Sequence, residues 1–169
     1  MAIVTSAGAG MKAAARATII QLRAPDSPAG AIEVEARSLG AESPLPVVVS
    51  SRCDIALAGG AAGVNLPESD IPVAAARRLL GDLLVGRSVH SLGSALRAER
   101  EGADYVIFGP VWASPSHTGA NAAGIEALAR VARAVRIPVL AIGGVTVDRI
   151  EECHAAGAAG YAAITMFSE

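Results

Sequence analysis

The sequence has one lysine, Lys12, and two cysteines, Cys53 and Cys153, and aromatic residues make up only 3% of its 169 positions. Each shortage excludes something. With no basic run and a formal net charge of −2, neither nucleic acid nor an anionic membrane surface is expected as a partner. Two cysteines far apart in the chain make no disulfide framework and no zinc spacing, so both read as reduced thiols of a cytoplasmic protein. Scarce aromatics beside abundant alanine and glycine argue against an aromatic-rich sandwich and suit helices packed closely on strands. The longest stretch free of Asp, Glu, Lys and Arg runs from Tyr105 to Ile125. It is broken by prolines and glycines and is not a membrane span. Residues Met1 to Thr5 lack the basic segment and apolar core of a signal peptide, so none is expected.

What is present is a core. Apolar residues make up 52% of the chain and charged ones 18%, which fits one folded domain over residues 1–169. Short Val/Ile-rich runs alternate with Ala/Leu/Arg-rich segments of helical period. The pattern predicts strands at Ile3–Val4, Thr18–Leu22, Pro46–Ser50, Gly63–Leu66, Leu83–Ser88, Tyr105–Phe108, Val139–Ile142 and Tyr161–Thr165. Between them it predicts helices at Met11–Ala17, Ala31–Leu39 (stopped by Gly40), Asp54–Ala58, Val73–Leu80, Leu92–Glu101 (capped by Ser91), Ile125–Val135 and Asp148–Ala156. Strict alternation implies a parallel sheet with helical crossovers. Eight units of about twenty residues point to a compact (β/α)8 TIM barrel, with a shortened first helix and a missing eighth. The incomplete helical ring leads to the expectation of a homo-oligomer.

A barrel puts its chemistry at the C-terminal ends of its strands. The candidates there are Gln21 and Arg23, Ser50, Asn65 and Asp70, Ser88 and His90, and the loop after the sixth strand with Ser114, Ser116, His117 and Thr118. Gly143-Gly144 after the seventh strand and Ile164-Thr165 after the eighth stand where barrels bind phosphate. The plainer reading of the glycines is a tight turn. Arg23 is suited to a phosphate or carboxylate, unless Asp26 pairs with it. His117 is the first choice for proton transfer and His90 the second, since imidazole titrates near neutral pH. Asp70 is either a metal ligand or a helix cap. His154 reads as a surface residue and Cys53 as a packing residue.

The blocks Gln21–Arg23, Arg52–Leu57, Gly86–Ser91, Gly102–Val111 and Ile137–Val145 resemble the thiamine phosphate synthase and thiazole tautomerase (TenI-type) superfamily. The resemblance runs in order from Ile3 to Phe167. It implies a (β/α)8 barrel that works in thiamine biosynthesis. The synthase joins hydroxymethylpyrimidine pyrophosphate to a thiazole phosphate with Mg²⁺ and releases pyrophosphate. The tautomerase aromatises a carboxylated thiazole phosphate by proton transfer and uses no metal.

Departures from the synthase pattern weigh on the choice. Pro25 stands at a lysine position, Ser50-Ser51 at an Asn-Asp pair, and Ala113–His117 at Pro-Thr-x-Thr-Lys. Of two metal aspartates only Asp70 remains. Departure of pyrophosphate needs concentrated positive charge, and Arg23 alone is a poor substitute. Asn65-Leu66-Pro67 and Arg87–Ser91 match the tautomerase wording instead. The leading expectation is therefore a tautomerase-like isomerase with no cofactor, binding a phosphorylated thiazole or thiamine phosphate. Its usual catalytic histidine position holds Pro110, which leaves His117 or His90 to carry the proton. The alternatives are a Mg²⁺-dependent synthase, with Asp70 as metal ligand, and a non-catalytic or regulatory phosphate-binding barrel.

Overall fold

The computed structural model describes residues 1–113 and 122–167. Its strands are β1 (Ala2–Val4), β2 (Ile20–Leu22), β3 (Val47–Ser50), β4 (Gly63–Leu66), β5 (Leu84–Val89), β6 (Tyr105–Phe108), β7 (Val139–Ile142) and β8 (Gly160–Ala162). All pair parallel and in chain order. Ala163, one residue past β8, bridges to Ala2, and Ile3 N–H donates to the Ala163 carbonyl at 2.9 Å. The sheet thus closes into the expected barrel. Among the described residues seven α-helices lie between the strands: α1 (Ala7–Ala13), α2 (Ala29–Glu42), α3 (Cys53–Ala58), α4 (Val73–Leu80), α5 (Leu92–Arg100), α6 (Ile125–Ala134) and α7 (Ile150–Ala155), the last preceded by a 3₁₀ turn at Val147–Arg149. A 3₁₀ turn at Thr165–Phe167 follows β8, and no eighth α-helix occurs among the described residues. No described helix is long and apolar enough to cross a membrane.

Several boundaries differ from expectation, and three of them have a clear local reason. Helix α1 is short as predicted but starts earlier, because the Ser6 hydroxyl accepts from Ala9 N–H and the Glu35 carboxylate accepts from Ala7 N–H. Helix α2 runs through Gly40, which does not stop it. A Cβ there would lie 2.8 Å from the Gly59 carbonyl oxygen, so the glycine permits close approach to the end of α3. Strand β8 ends at Ala162, three residues before the predicted end, where the chain turns into the 3₁₀ segment. Ser91 caps α5 as expected and exchanges bonds with Ser94 in a capping box.

Strand alternation sorts the side chains. Leu22, Val47, Val49, Val64, Leu66, Val85, Val89, Val106 and Phe108 join the cluster packed by the helices. Met1, Ile3, Val48, Tyr105, Ile107 and Ala162 form a separate cluster in the lumen. Gly86 makes room for Tyr105: a Cβ at Gly86 would lie 2.1 Å from the Tyr105 ring. Gly86→Ala should therefore cost ~1–3 kcal/mol of stability by overpacking, read as a lower urea midpoint, and an unchanged midpoint would show that the ring can move aside. Cys53 and Cys153 are both buried, and burial raises both thiol pKa values above the ordinary range. In the native protein both should react with iodoacetamide far more slowly than after unfolding, which mass spectrometry of alkylated peptides would read.

Candidate functional site

Where the lumen side chains turn from apolar to polar, a cavity of about 180 Å³ opens at the C-terminal ends of the strands. The same alternation that puts Val48 in the lumen puts Ser50 above it, and Asn65 and Ser88 stand two residues beyond Gly63 and Gly86. Gln21 Nε2 donates to Ser50 Oγ at 2.9 Å, and Asn65 Nδ2 donates to Ser88 Oγ at 3.1 Å. Both amide side chains are only 2% exposed. In the orientation found, Gln21 Oε1 and Asn65 Oδ1 have no hydrogen-bond partner among the described residues. Buried polar atoms are usually satisfied, so two orphan acceptors lining one cavity point to a ligand that donates. Ile3, Ile107 and Ile142 give that cavity apolar walls.

The rim carries charge. Arg23 lines the cavity and is exposed, with no carboxylate in ion-pair range among the described residues. The pairing with Asp26 does not form. His90 Nδ1 is bonded to the Gly109 carbonyl oxygen. A carbonyl can only accept, so Nδ1 carries the proton and a neutral ring has its lone pair on Nε2. That nitrogen lies 3.7 Å from Glu68 Oε2. Glu68 also lines the cavity and went unremarked in the sequence, although it is three positions past Asn65, in the β4–α4 loop.

Asp70, in that loop, is not a helix cap. Its carboxylate accepts from the Ser51 hydroxyl and from Ile71 N–H, the latter at 2.7 Å. The N-terminus of α4 is served by Glu101, which accepts from Val73 N–H at 2.9 Å. Ser51 holds φ +70, the only non-glycine residue at positive φ among those described, a conformation that favours glycine. Its strain is stored beside a carboxylate at the mouth. Among the described residues no three His, Cys, Asp or Glu side chains group closely enough for a protein-only metal cage. Glu68 lines the cavity, and Asp70, held by Ser51 and Ile71, does not; carboxylates of this kind suit a Mg²⁺ ion delivered on a substrate's phosphates, which needs only one or two of them and keeps several waters.

Gly143 and Ile164 line the cavity, whereas Gly144 and Thr165 do not. The glycines are required by contact as well as by turn geometry. Gly143 (φ +90) and Gly144 (φ +65) would place a Cβ 2.5 Å from Pro110 Cβ and 2.7 Å from Trp112 Cβ. Arg149 stacks its guanidinium 4.8 Å from the Trp112 ring centroid and donates from Nη1 to the Gly144 carbonyl at 2.6 Å. This ties the start of the β6 loop to the double-glycine turn. Pro110, at the tautomerase histidine position, also lines the cavity. Ser114, Ser116, His117 and Thr118 lie outside the described residues. His154 is on α7, away from the cavity, with Nδ1 near the Ala158 carbonyl.

A family model described as thiamine monophosphate synthase matches residues 5–167. A thiamine-phosphate synthase of Anaeromyxobacter dehalogenans is 47% identical over 165 residues, spanning 95% of this chain and 73% of the relative. A putative thiamine-phosphate synthase 2 of Aquifex aeolicus is 42% identical over 135 residues, spanning 80% of this chain and 73% of the relative. Among solved structures, thiamine phosphate pyrophosphorylase from Pyrococcus furiosus superposes with a TM-score of 0.88 at 33% identity, covering 97% of this chain and 84% of that one. The family model and the two sequence relatives carry the synthase name, which favours the synthase alternative over the isomerase expectation.

Proposed function

Since the chain belongs to the thiamine monophosphate synthase family, we propose that it joins an aminopyrimidine methylene pyrophosphate to a phosphorylated thiazole and releases pyrophosphate. The observation that carries this reading is the pair of orphan acceptors, Gln21 Oε1 and Asn65 Oδ1. An aminopyrimidine has an exocyclic amino group whose N–H donors would fill them. A carboxylated thiazole phosphate meets the site with oxygen acceptors and leaves them empty, at about 1–3 kcal/mol for each unsatisfied group. That difference separates the synthase from the isomerase.

In the coupling, the bond from the methylene carbon to the pyrophosphate oxygen breaks and its electron pair leaves with pyrophosphate. The thiazole nitrogen gives its lone pair to the methylene carbon and becomes cationic. Gln21 and Asn65 hold the pyrimidine in plane, while the Ser50 and Ser88 hydroxyls fix the two amides. Ile107 and Ile142 face the rings and keep water from the carbon. The Arg23 guanidinium at the rim takes a phosphate oxygen. The thiazole phosphate is assigned to the turn at Gly143 and Gly144 with the chain at Ile164 and Thr165. Glu68 and Asp70 would hold a Mg²⁺ ion arriving with the pyrophosphate, and the ion would supply positive charge to the leaving group. Ser114, Ser116 and Thr118 keep their assignment as hydroxyl donors to anionic oxygens.

A second reading, the isomerase, is favoured by the shortage of cations. Arg23 and His90 are the basic side chains lining the cavity among the described residues, and Pro25 replaces a lysine. In that reading His90 Nε2, or His117, moves the proton. One experiment decides. The protein is given both substrates with Mg²⁺, and thiamine phosphate is followed by chromatography. Thiamine phosphate at catalytic turnover supports the synthase. Aromatised thiazole without coupled product transfers the assignment to the isomerase. Binding without turnover of either leaves a binding barrel.

A further inference from the structure

We propose that Arg87 is a positioning residue, which locks the β4–α4 loop from behind the sheet so that Glu68 and Asp70 are held at the mouth. On β5 its neighbour Ser88 faces the cavity, so Arg87 projects to the opposite side, toward α4 and α5. It ends in a hollow between those helices, lined also by Val73, Ser94 and Glu101. It is only 8% exposed, and among the described residues no carboxylate lies within ion-pair range of it. A buried cation is costly unless its hydrogen bonds are met.

Its partners are all main-chain carbonyls of one short segment. Nη1 donates to Ile71 at 2.7 Å, and Nη2 donates to Glu68 at 2.9 Å and to Asp70 at 3.3 Å. A planar fork can hold several carbonyls of one loop at once, and a lysine cannot reproduce that geometry. An apolar side chain would fill the same space at lower cost, so packing alone does not account for a guanidinium here. The same loop is tied on its other side by the Ser51 hydroxyl on the Asp70 carboxylate, and is closed on itself by Asp70 N–H on the Pro67 carbonyl at 3.0 Å. The two carboxylates therefore sit on a segment clamped from the sheet behind and from β3 in front. Burial disfavours the charged form of Arg87, while the charges of Asp70, Glu101 and Glu68 favour it.

The catalytic consequence rests on the synthase reading, whereas the clamp does not. The test compares wild type, Arg87→Lys and Arg87→Met. Hydrogen exchange by mass spectrometry reads the amides of segment 67–71, and calorimetry reads binding of pyrophosphate with Mg²⁺. Both variants should lose at least tenfold protection in that segment while protection in β1, β7 and α6 is kept. Pyrophosphate affinity should fall about tenfold, the Mg²⁺ concentration for half-maximal turnover should rise, and KM for thiazole phosphate should stay unchanged. If Arg87→Met unfolds, Arg87→Lys, which keeps the charge, decides alone. Unchanged protection in 67–71 in a folded variant overturns the proposal, as does a uniform loss across the barrel. Failure of wild type to bind pyrophosphate with Mg²⁺ removes the synthase reading, and the exchange result still decides the clamp.

Discussion

Gln21→Met and Asn65→Leu each lower kcat/KM for thiamine phosphate formation by about a hundredfold or more, and neither lowers the thermal midpoint. The two halves of this expectation have one cause. Each amide is buried and leaves its carbonyl oxygen unpaired in the free protein. An apolar side chain of similar size removes that unmet group, which relieves about 1–3 kcal/mol before the lost bond to Ser50 or Ser88 is subtracted. The net change in midpoint is expected between zero and a rise of about 2–4 °C, the shift that ~1 kcal/mol gives a domain of this size. Activity moves the other way, because a site built to pair with a ligand's N–H loses that bond in the transition state. Steady-state kinetics with the pyrimidine as varied substrate and a thermal melt of the same samples read both. A midpoint several degrees lower with activity intact would make the amides structural fillers of the lumen.

Asp70→Asn is expected to lower kcat about 10²–10³-fold at saturating Mg²⁺, with thiazole phosphate binding unchanged. The substitution is conservative in shape. The asparagine amide can still accept through its oxygen from Ile71 N–H or from the Ser51 hydroxyl, the two bonds the carboxylate makes. What is lost is the charge that helps hold a cation against the departing pyrophosphate, and such electrostatic terms are among the largest in catalysis. With only Arg23 and His90 as basic lining residues among those described, little else is placed to compensate. Chelation of Mg²⁺ from wild type should give a loss at least as large. A variant within threefold of wild type would mean that Asp70 serves only to straighten the backbone at Ser51.

Much of this architecture was legible in the residues. Eight apolar runs in strict alternation with helical segments can close in few ways, and Gln21, Ser50, Asn65 and Ser88 stand out because each is a polar group at or next to the last residue of an apolar strand. Gly40 was misread because a glycine that lets two helices touch is written like one that ends a helix. Arg87 and Glu68 went unassigned because their meaning depends on a loop folding back over the neighbouring strand, and local pattern carries no trace of that. The leaning toward an isomerase came from departures at a handful of positions, Pro25, Ser50, Ser51 and the block 113–117, and Pro110 told against it. The relatives weigh the whole span, and the unpaired acceptors become visible only once the strands are brought side by side.

The glycines at the mouth have a consequence for redesign. A Cβ at Gly109 would lie 2.2 Å from the Ile142 carbonyl oxygen, and those at Gly143 and Gly144 would strike Pro110 and Trp112. At these three glycines the side of the barrel built by β6 and β7 tolerates no added atom. On the side built by β2 to β5 the glycines Gly63 and Gly86 are equally closed, but Gln21, Ser50, Asn65 and Ser88 present ordinary side chains to the cavity. A mutant library seeking a new heterocycle should be confined to Gln21, Ser50, Asn65 and Ser88, with the opposite wall kept as an invariant frame.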